Sequence, residues 1–287
     1  MLKGNEFPMF KLKKILFICI SLKQSTERRQ KISTEIEKLR KHITEIEISF
    51  EFFDGIYGKN LAPEYLSFIN IARAQAGQCK RPLGSSEIGC LFSHLFIWQR
   101  QAEGNYSDFD RVIILEDDVF LNSNLINEKL VEISYSKEDF IFLGGHTKQS
   151  RTRIYGYEAH NSLSFTMLGP SDLYTAACAY SITENEAKKL LNKIIMKPTF
   201  VDDWKYLLAD KHSISYYFCF EQGGKNDSSI NHDRLKYKIK NKNIVRLKKN
   251  SMKIFNDINA RLKAFFSFKK TTRLSLFLTK NKEDGYK

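Results

Sequence analysis

No two of the five cysteines are spaced as a Cys-x-x-Cys pair, and their number is odd. For Cys19, Cys79, Cys90, Cys178 and Cys219, most in apolar contexts, that favours reduced, buried thiols of a cytosolic protein over a disulfide framework or a zinc site. Apolar runs are short. None approaches the ~20 residues that a membrane-spanning helix needs. The stretch Lys13–Ile20 superficially resembles a secretion signal, but its apolar core is six residues long and no small-residue cleavage site follows it. A first buried strand is the expectation there. Internal repeats are absent, so a solenoid or propeller is excluded.

Acidic residues are missing from one region in particular. Between Arg234 and Lys253 nine basic residues occur with no acid. Residues 234–287 hold 17 Lys and Arg against three acids, a net of +14, whereas residues 1–233 hold 29 basic and 30 acidic groups, a net of −1. The overall charge of +13 therefore belongs to the C-terminal segment, which implies an anionic partner for that segment alone. Phe255, Leu262, Phe265, Phe266, Phe268 and Leu274 to Leu278 intersperse apolar side chains among its later bases. That is the composition of a segment lying on an anionic membrane surface, where each basic residue contributes ~1 kcal/mol. Nucleic acid would tolerate the same charge, but no nucleic-acid motif occurs in the neutral part and none is expected as a partner. A solvated tail is the plainest alternative.

What is present is an alternation of strand and helix signals. The apolar run Ile15–Ile20 reads as a strand, Ser25 or Thr26 caps a helix with Ile32, Ile36 and Leu39 on one face, and Ile46–Phe53 reads as a second strand. A helix follows Pro63, another runs from Ser85 or Ser86 to about Gln101 with Ile88, Leu91, Leu95 and Trp98 at helical spacing, and Glu87 suits a capping box. Residues 150–171 read as an irregular loop. Strands are expected over Phe140–Leu143, Tyr174–Ile182 and Ser213–Phe220, with a helix over Thr183–Ile195 and a short one near Trp204. The class is α/β, with a lead-in over 1–12, a catalytic domain over 13–233 and the basic tail over 234–287.

The organising stretch is Arg111-Val112-Ile113-Ile114-Leu115-Glu116-Asp117-Asp118-Val119. Its continuous apolar run predicts a strand buried on both faces, with Glu116 and Asp118 on one side and Asp117 on the other. Open α/β sheets bind ligands beyond the carboxyl ends of their strands, and three successive acids repel unless a cation or donors gather them. Hard oxygen ligands suit Mg²⁺ or Mn²⁺; a solvated strand end capping the next element accounts for the acids equally well.

Further candidates have ordinary alternatives too. Arg28 and Arg29 sit at the first strand–helix junction, where a guanidinium pairs with phosphate or simply faces solvent. Asp54 ends the second strand beside Gly55, as a crevice residue or an Asx turn. Glu87 and His94 are seven apart on one helix face, near Ser93, and line a pocket or serve the core. Asp202 and Asp203 stand where a helix starts, as a general base or as caps, and Trp204 stacks on a sugar or joins the core.

Six of these stretches occur in a recognisable order: Ser21-Leu22-Lys23 with Glu27-Arg28-Arg29, Phe53-Asp54-Gly55, Ser86-Glu87-Ile88-Gly89-Cys90-Leu91-Phe92-Ser93-His94, Leu115-Glu116-Asp117-Asp118, Phe200-Val201-Asp202-Asp203-Trp204 and Asp227-Ser228-Ser229-Ile230. Over residues 13–231 the chain resembles glycosyltransferase family 25, the lipopolysaccharide and lipooligosaccharide glycosyltransferases. The resemblance implies a GT-A-type, Rossmann-like nucleotide-sugar-binding sandwich, a UDP-sugar donor and Mn²⁺ or Mg²⁺. It implies that Glu116, Asp117 and Asp118 act as the Asp-any-Asp motif, with Asp118 a direct ligand, Glu116 toward ribose or metal, and His232 a candidate distal ligand. Arg28, Arg29, Asp54, Glu87 and His94 would then serve the donor, and Asp202, ahead of Asp203, would be the base of an inverting transfer. The expected activity is transfer of a hexose, galactose by family, to a glycolipid acceptor of the lipid A-core type at the cytoplasmic face of the bacterial inner membrane. The competing reading is a non-catalytic Rossmann-like protein that binds anionic membrane or nucleic acid through its tail.

Overall fold

The computed structural model describes residues 12–77, 81–122, 125–145, 151, 153–161, 163–168, 173–223, 272–273 and 275–276. The Asp227–Ile230 motif, His232 and nearly all of the basic segment lie outside the described residues.

The chain opens with a βαβ unit. Strand β1 (Lys13–Ser21), helix α1 (Thr26–His42) and strand β2 (Ile46–Asp54) follow in order, and β1 and β2 pair in parallel. Helix α2 (Pro63–Gln75) begins on Pro63, whose missing N–H costs nothing at a first helical position. Then come α3 (Ser85–Ala102), β3 (Arg111–Glu116), β4 (Val119–Leu121), α4 (Ile126–Tyr135) and β5 (Phe140–Gly144). The remainder comprises β6 (Tyr155–Glu158), β7 (Phe165–Leu168), β8 (Ala179–Ile182), α5 (Glu184–Met196), α6 (Trp204–Leu207), β9 (Ser213–Gln222) and β10 (Thr272–Arg273).

All ten strands form one mixed sheet in the order β10-β6-β7-β9-β5-β8-β3-β1-β2, with β4 paired to β9. Strands β2, β1 and β3 run parallel, and β8 is inserted antiparallel between β3 and β5. Alternating side chains of β1 and β3 feed two separate cores. Leu16, Ile18, Val112 and Ile114 pack with Ile88, Leu91, Ile97 and Trp98 of α3 and with Leu190 of α5. Ile15, Phe17, Ile113 and Leu115 pack with Ile32, Ile36 and Leu39 of α1 and with Leu130 and Ile133 of α4. Each such aliphatic side chain, once fully buried, stabilises the fold by roughly 1.5–3 kcal/mol, which accounts for the unbroken apolar run Val112–Leu115 in β3.

Three expectations change. Residues 150–171 are not wholly irregular: β6 and β7 form an antiparallel hairpin there, and β7 pairs with β9. Their alternation is too short to register against the polar residues around it. The strand expected over Tyr174–Ile182 shrinks to β8, because Ala176 adopts a left-handed conformation (φ 68°) that ends extended backbone. On α3 it is Ile97 that is fully buried, whereas Leu95 is only half-buried. Thr272 and Arg273 of the basic segment pair with Gly156 and Tyr155, adding the edge strand β10.

Candidate active site

Register brings the polar ends of three parallel strands together. Ser21 of β1 stands opposite Asp54 of β2, and Ile20 stands opposite Glu116 of β3. Carboxylates and hydroxyls thus gather at the carboxyl edge of the sheet, the usual ligand position in α/β folds. Strand β3 stops at Glu116, and Asp117 and Asp118 occupy the turn into β4, so strict strand alternation does not extend to Asp118.

On the α1 side, Ser21 Oγ donates to Asp117 Oδ2 at 2.7 Å and Arg28 Nη1 donates to Oδ1 at 3.0 Å. Arg29 donates to the Ser21 carbonyl (2.8 Å) and to Asp54 (2.5 Å), and its guanidinium lies over the Phe52 ring. That hydrogen bond, with the charges of Arg29 and Lys23, holds the Asp54 carboxyl below the usual carboxylate range. Arg28, Asp117, Asp118 and Gly223 line a cleft of about 170 Å³ together with Glu27 and Lys31. Ligand pockets for whole drug-sized molecules run to roughly 300–1,000 Å³, so this cleft suits one end of a nucleotide-sized ligand.

Asp118 is the outlier of the set. Among the described residues its Oδ1 is buried with no hydrogen-bond partner, and Oδ2 receives the Gln222 amide at 3.3 Å. Burial, and then the charge of Glu116, push its carboxyl up to about 6. The Gly223 N–H donates to the Asp118 carbonyl at 2.7 Å, which closes the turn from β9. A desolvated carboxylate oxygen that nothing donates to fits a hard divalent cation, so the acidic turn passes that chemical test.

On the α3 side the motif Glu87-Ile88-Gly89-Cys90…Ser93-His94 becomes legible residue by residue. Ile88 enters the core. A Cβ on Gly89 would sit 2.4 Å from the Ile56 carbonyl and 2.7 Å from the Gly58 nitrogen, so only glycine lets α3 approach the chain after β2 this closely. Ser93 Oγ accepts from the Ile56 N–H at 2.8 Å and donates to the Gly89 carbonyl. Cys90 Sγ faces Glu116 Oε1 at 3.7 Å, and His94 Nε2 faces the same oxygen at 3.4 Å. His94 is fully buried, and its Nδ1 meets the Tyr180 hydroxyl at 2.7 Å. The Trp98 indole, which can only donate, also reaches that hydroxyl (2.8 Å). A neutral imidazole that donates from Nε2 to Glu116 accepts at Nδ1 from Tyr180, so the chain Trp98–Tyr180–His94–Glu116 is consistently polarised.

Other expected site residues stand elsewhere. Glu87 is not with the acidic turn: it is buried, takes both Arg81 guanidinium nitrogens at 2.7 Å and caps the Gly84 N–H at 3.1 Å. Arg81 and Arg73 lie over the Phe200 ring, at 5.0 and 4.9 Å from its centroid, and Arg73 donates to the Pro198 carbonyl. Asp203 begins α6 and its carboxylate accepts from Thr199 Oγ1 at 2.5 Å, while Asp202, half-buried, precedes it. Trp204 is entirely core, packed against Phe140, Phe142 and Tyr180 with its indole N–H on the Ala176 carbonyl. It offers no face to a sugar. Sequence reasoning did not single out Ser21, Cys90, Tyr180 or Gln222 as site residues. Cys90 stood inside a quoted motif and Ser21 opened another, whereas Tyr180 and Gln222 carry no local signal.

A family model described as glycosyltransferase family 25 (LPS biosynthesis protein) matches residues 14–204. A protein of Haemophilus influenzae, provisionally named a glycosyltransferase, is 31% identical over 172 residues, 58% of this chain and 57% of its own. Procollagen galactosyltransferase 1-B of Xenopus laevis is 29% identical over 210 residues, 69% of this chain and 31% of that protein. A relative from Mus musculus is named Inactive glycosyltransferase 25 family member 3; it is 25% identical over 222 residues, 73% of this chain and 35% of its own. The chain therefore spans little more than half the length of the first of these relatives and about a third of the other two. Arg28, Asp54, the Glu87–His94 motif, the acidic turn and Asp202–Asp203 all fall inside the matched region, and the chain belongs to glycosyltransferase family 25.

Proposed function

We propose that this chain is a metal-dependent, inverting glycosyltransferase of GT-A type. In this reading it moves a hexose, galactose, from a UDP-sugar to a growing lipooligosaccharide or lipopolysaccharide. The observation that carries the reading is the buried Asp118 Oδ1 with no donor, in a cleft that it shares with Arg28 at the carboxyl edge of the sheet. Galactose is supported by the name of the Xenopus relative, and the acceptor class by the lipopolysaccharide description of the family. Because one relative is named inactive, family membership alone does not establish turnover.

Asp118, with Glu116, would hold Mn²⁺ or Mg²⁺; His232 is a candidate further ligand. Such an ion, when bound, neutralises charge that develops on the departing diphosphate. Arg28 borders the cleft and offers phosphate a guanidinium that Asp117 already orients. Arg29, fixed between Asp54 and Ser21, holds the α1 end against β1. Inversion requires one carboxylate to take the acceptor hydroxyl proton as its oxygen attacks the anomeric carbon. Asp202, which stands at the Val-Asp position of the family motif, is the candidate for that role, ahead of Asp203, whose carboxylate accepts from Thr199. The basic segment 234–287 would hold the enzyme on the anionic cytoplasmic face of the membrane, where a lipid A-core acceptor is presented.

The test is release of UDP from UDP-galactose, UDP-glucose and UDP-N-acetylhexosamines by the purified chain, with Mn²⁺, with Mg²⁺ and with chelator. Turnover that requires the ion and vanishes in Asp118→Ala is expected; activity unchanged in that variant overturns the metal role. Sedimentation with anionic and neutral vesicles, before and after truncation beyond residue 233, tests the membrane role.

A further inference from the structure

We propose a second metal site, for a zinc ion, formed by Cys90, His94 and Glu116 on the α3 side of the sheet. The three donor atoms, Cys90 Sγ, a His94 ring nitrogen and a Glu116 oxygen, lie within 4.8 Å of one another. Zinc bound tetrahedrally at ordinary Zn–S, Zn–N and Zn–O lengths places its ligand atoms roughly 3.4–3.6 Å apart. The observed separations are 3.4 Å from Nε2 to Oε1 and 3.7 Å from Sγ to Oε1. Cys90 and His94 are four apart on α3 and so present their donors from one helix face. The mixture of thiolate, imidazole and carboxylate suits zinc and disfavours Mg²⁺ and Mn²⁺, which prefer oxygen throughout.

The surroundings complete the site. His94 is wholly buried and its other nitrogen is held by the Tyr180 hydroxyl, the kind of outer contact that fixes a ligating imidazole. On binding, the Cys90 thiol proton leaves to solvent and the imidazole proton moves from Nε2 to Nδ1. Nδ1 then donates to the Tyr180 oxygen, which also accepts from Trp98, and the Tyr180 O–H that had donated to Nδ1 rotates out of that bond. Glu116 is one quarter exposed and Cys90 half-buried, so the ion has an entry path and a fourth position for water. Cys19, Cys178 and Cys219 do not compete: burial pushes each thiol far up, and none offers a thiolate near neutrality. This inference stands on metal binding alone; with Glu116 turned to Cys90 and His94, the ion of the proposed function is held at Asp118 without it.

The experiment uses the full chain, stripped of metal by chelation, titrated with Zn²⁺ and, as a spectroscopic probe, with Co²⁺. One equivalent of either ion is expected to bind in the Asp118→Asn chain, Co²⁺ with a thiolate-to-metal charge-transfer band, and Zn²⁺ is expected to protect Cys90 from alkylation, read at the peptide level. Cys90→Ser and His94→Gln should each lower zinc affinity by about 100-fold or more. Tyr180→Phe should lower it by about 10-fold, the scale of a lost supporting contact. Asp118→Asn should leave the band and the protection in place. Absence of binding, a band that survives Cys90→Ser, or loss of both signals in a folded Asp118→Asn protein overturns the site; circular dichroism of every variant establishes folding.

Discussion

Arg28 and Asp117 form an ion pair between α1 and the acidic turn, Nη1 to Oδ1 at 3.0 Å, with Asp117 nearly buried and Arg28 one third exposed. The pair keeps Asp117 directed at α1 and holds a guanidinium at the border of the cleft. Arg28→Ala leaves Ser21 as the hydrogen-bond partner named above for that carboxylate. The expected result is a loss of about 1–3 kcal/mol in denaturant unfolding, with UDP affinity at least about tenfold weaker by calorimetry. Arg28→Lys should recover stability better than UDP affinity, because an ammonium cannot reproduce the planar fork.

Asp118 predicts an unusual pH dependence. Its carboxyl ionises in the folded chain at about 6, above the 3.8 of an ordinary aspartate, so the folded state binds the proton more tightly than the unfolded one. Stability of the metal-free protein should therefore be lower at pH 7.5 than at pH 4–5 by the contribution of this group, the loss occurring as pH rises through about 4 to 6. Asp118→Asn should remove that dependence and stabilise the chelated protein at pH 7.5 by about 1–3 kcal/mol. Mn²⁺ should raise the melting temperature of the parent chain and leave that of Asp118→Asn unchanged. A parent chain insensitive to Mn²⁺ would count against the ion at this turn.

Glu87 is expected to act at a distance. It holds Arg81, and Arg81 with Arg73 clasps Phe200, two residues before Asp202. Glu87→Gln should cost about 3 kcal/mol, the scale of breaking a buried ion pair. It should lower kcat of transfer while leaving UDP binding near the parent value. A selective loss of UDP affinity would instead assign Glu87 to the donor pocket.

Gly89→Ala should be among the most damaging small substitutions in the chain. The added methyl meets the Ile56 carbonyl and the Gly58 backbone, neither of which moves without displacing α3. A loss of about 3 kcal/mol or more in unfolding experiments is expected. Gly77→Ala is the control: φ is +72° there but no atom lies within 4 Å of the added carbon, so only backbone strain of about 1 kcal/mol applies.

The βαβ opening and β3 were legible because each carries a strong local pattern, a continuous apolar run or an amphipathic helix, and the α3 motif because it resembles that of the family. The acidic turn was legible as a place, but the division of labour within it was not. That Asp117 would be satisfied by Ser21 and Arg28 while Asp118 Oδ1 would have no donor among the described residues depends on register between β1 and β3 and on the return of β9. These are long-range facts with no local signature. Trp204 was open between a sugar contact and the core, and packing among Phe140, Phe142 and Tyr180 makes it core. The hairpin of β6 and β7 escaped detection because its strands are four residues each and their partners are distant.

One peptide bond separates Glu116 from Asp117, yet the sheet stands between their side chains: the first meets Cys90 and His94 of α3, the second Ser21 and Arg28 beside α1. Substitutions on the two sides share no contact named here, so a thermodynamic cycle between Ser21→Ala and His94→Gln should close with little interaction energy. Adjacent positions in the chain thereby become separately adjustable in their contacts, while the charge of Glu116 still reaches Asp118.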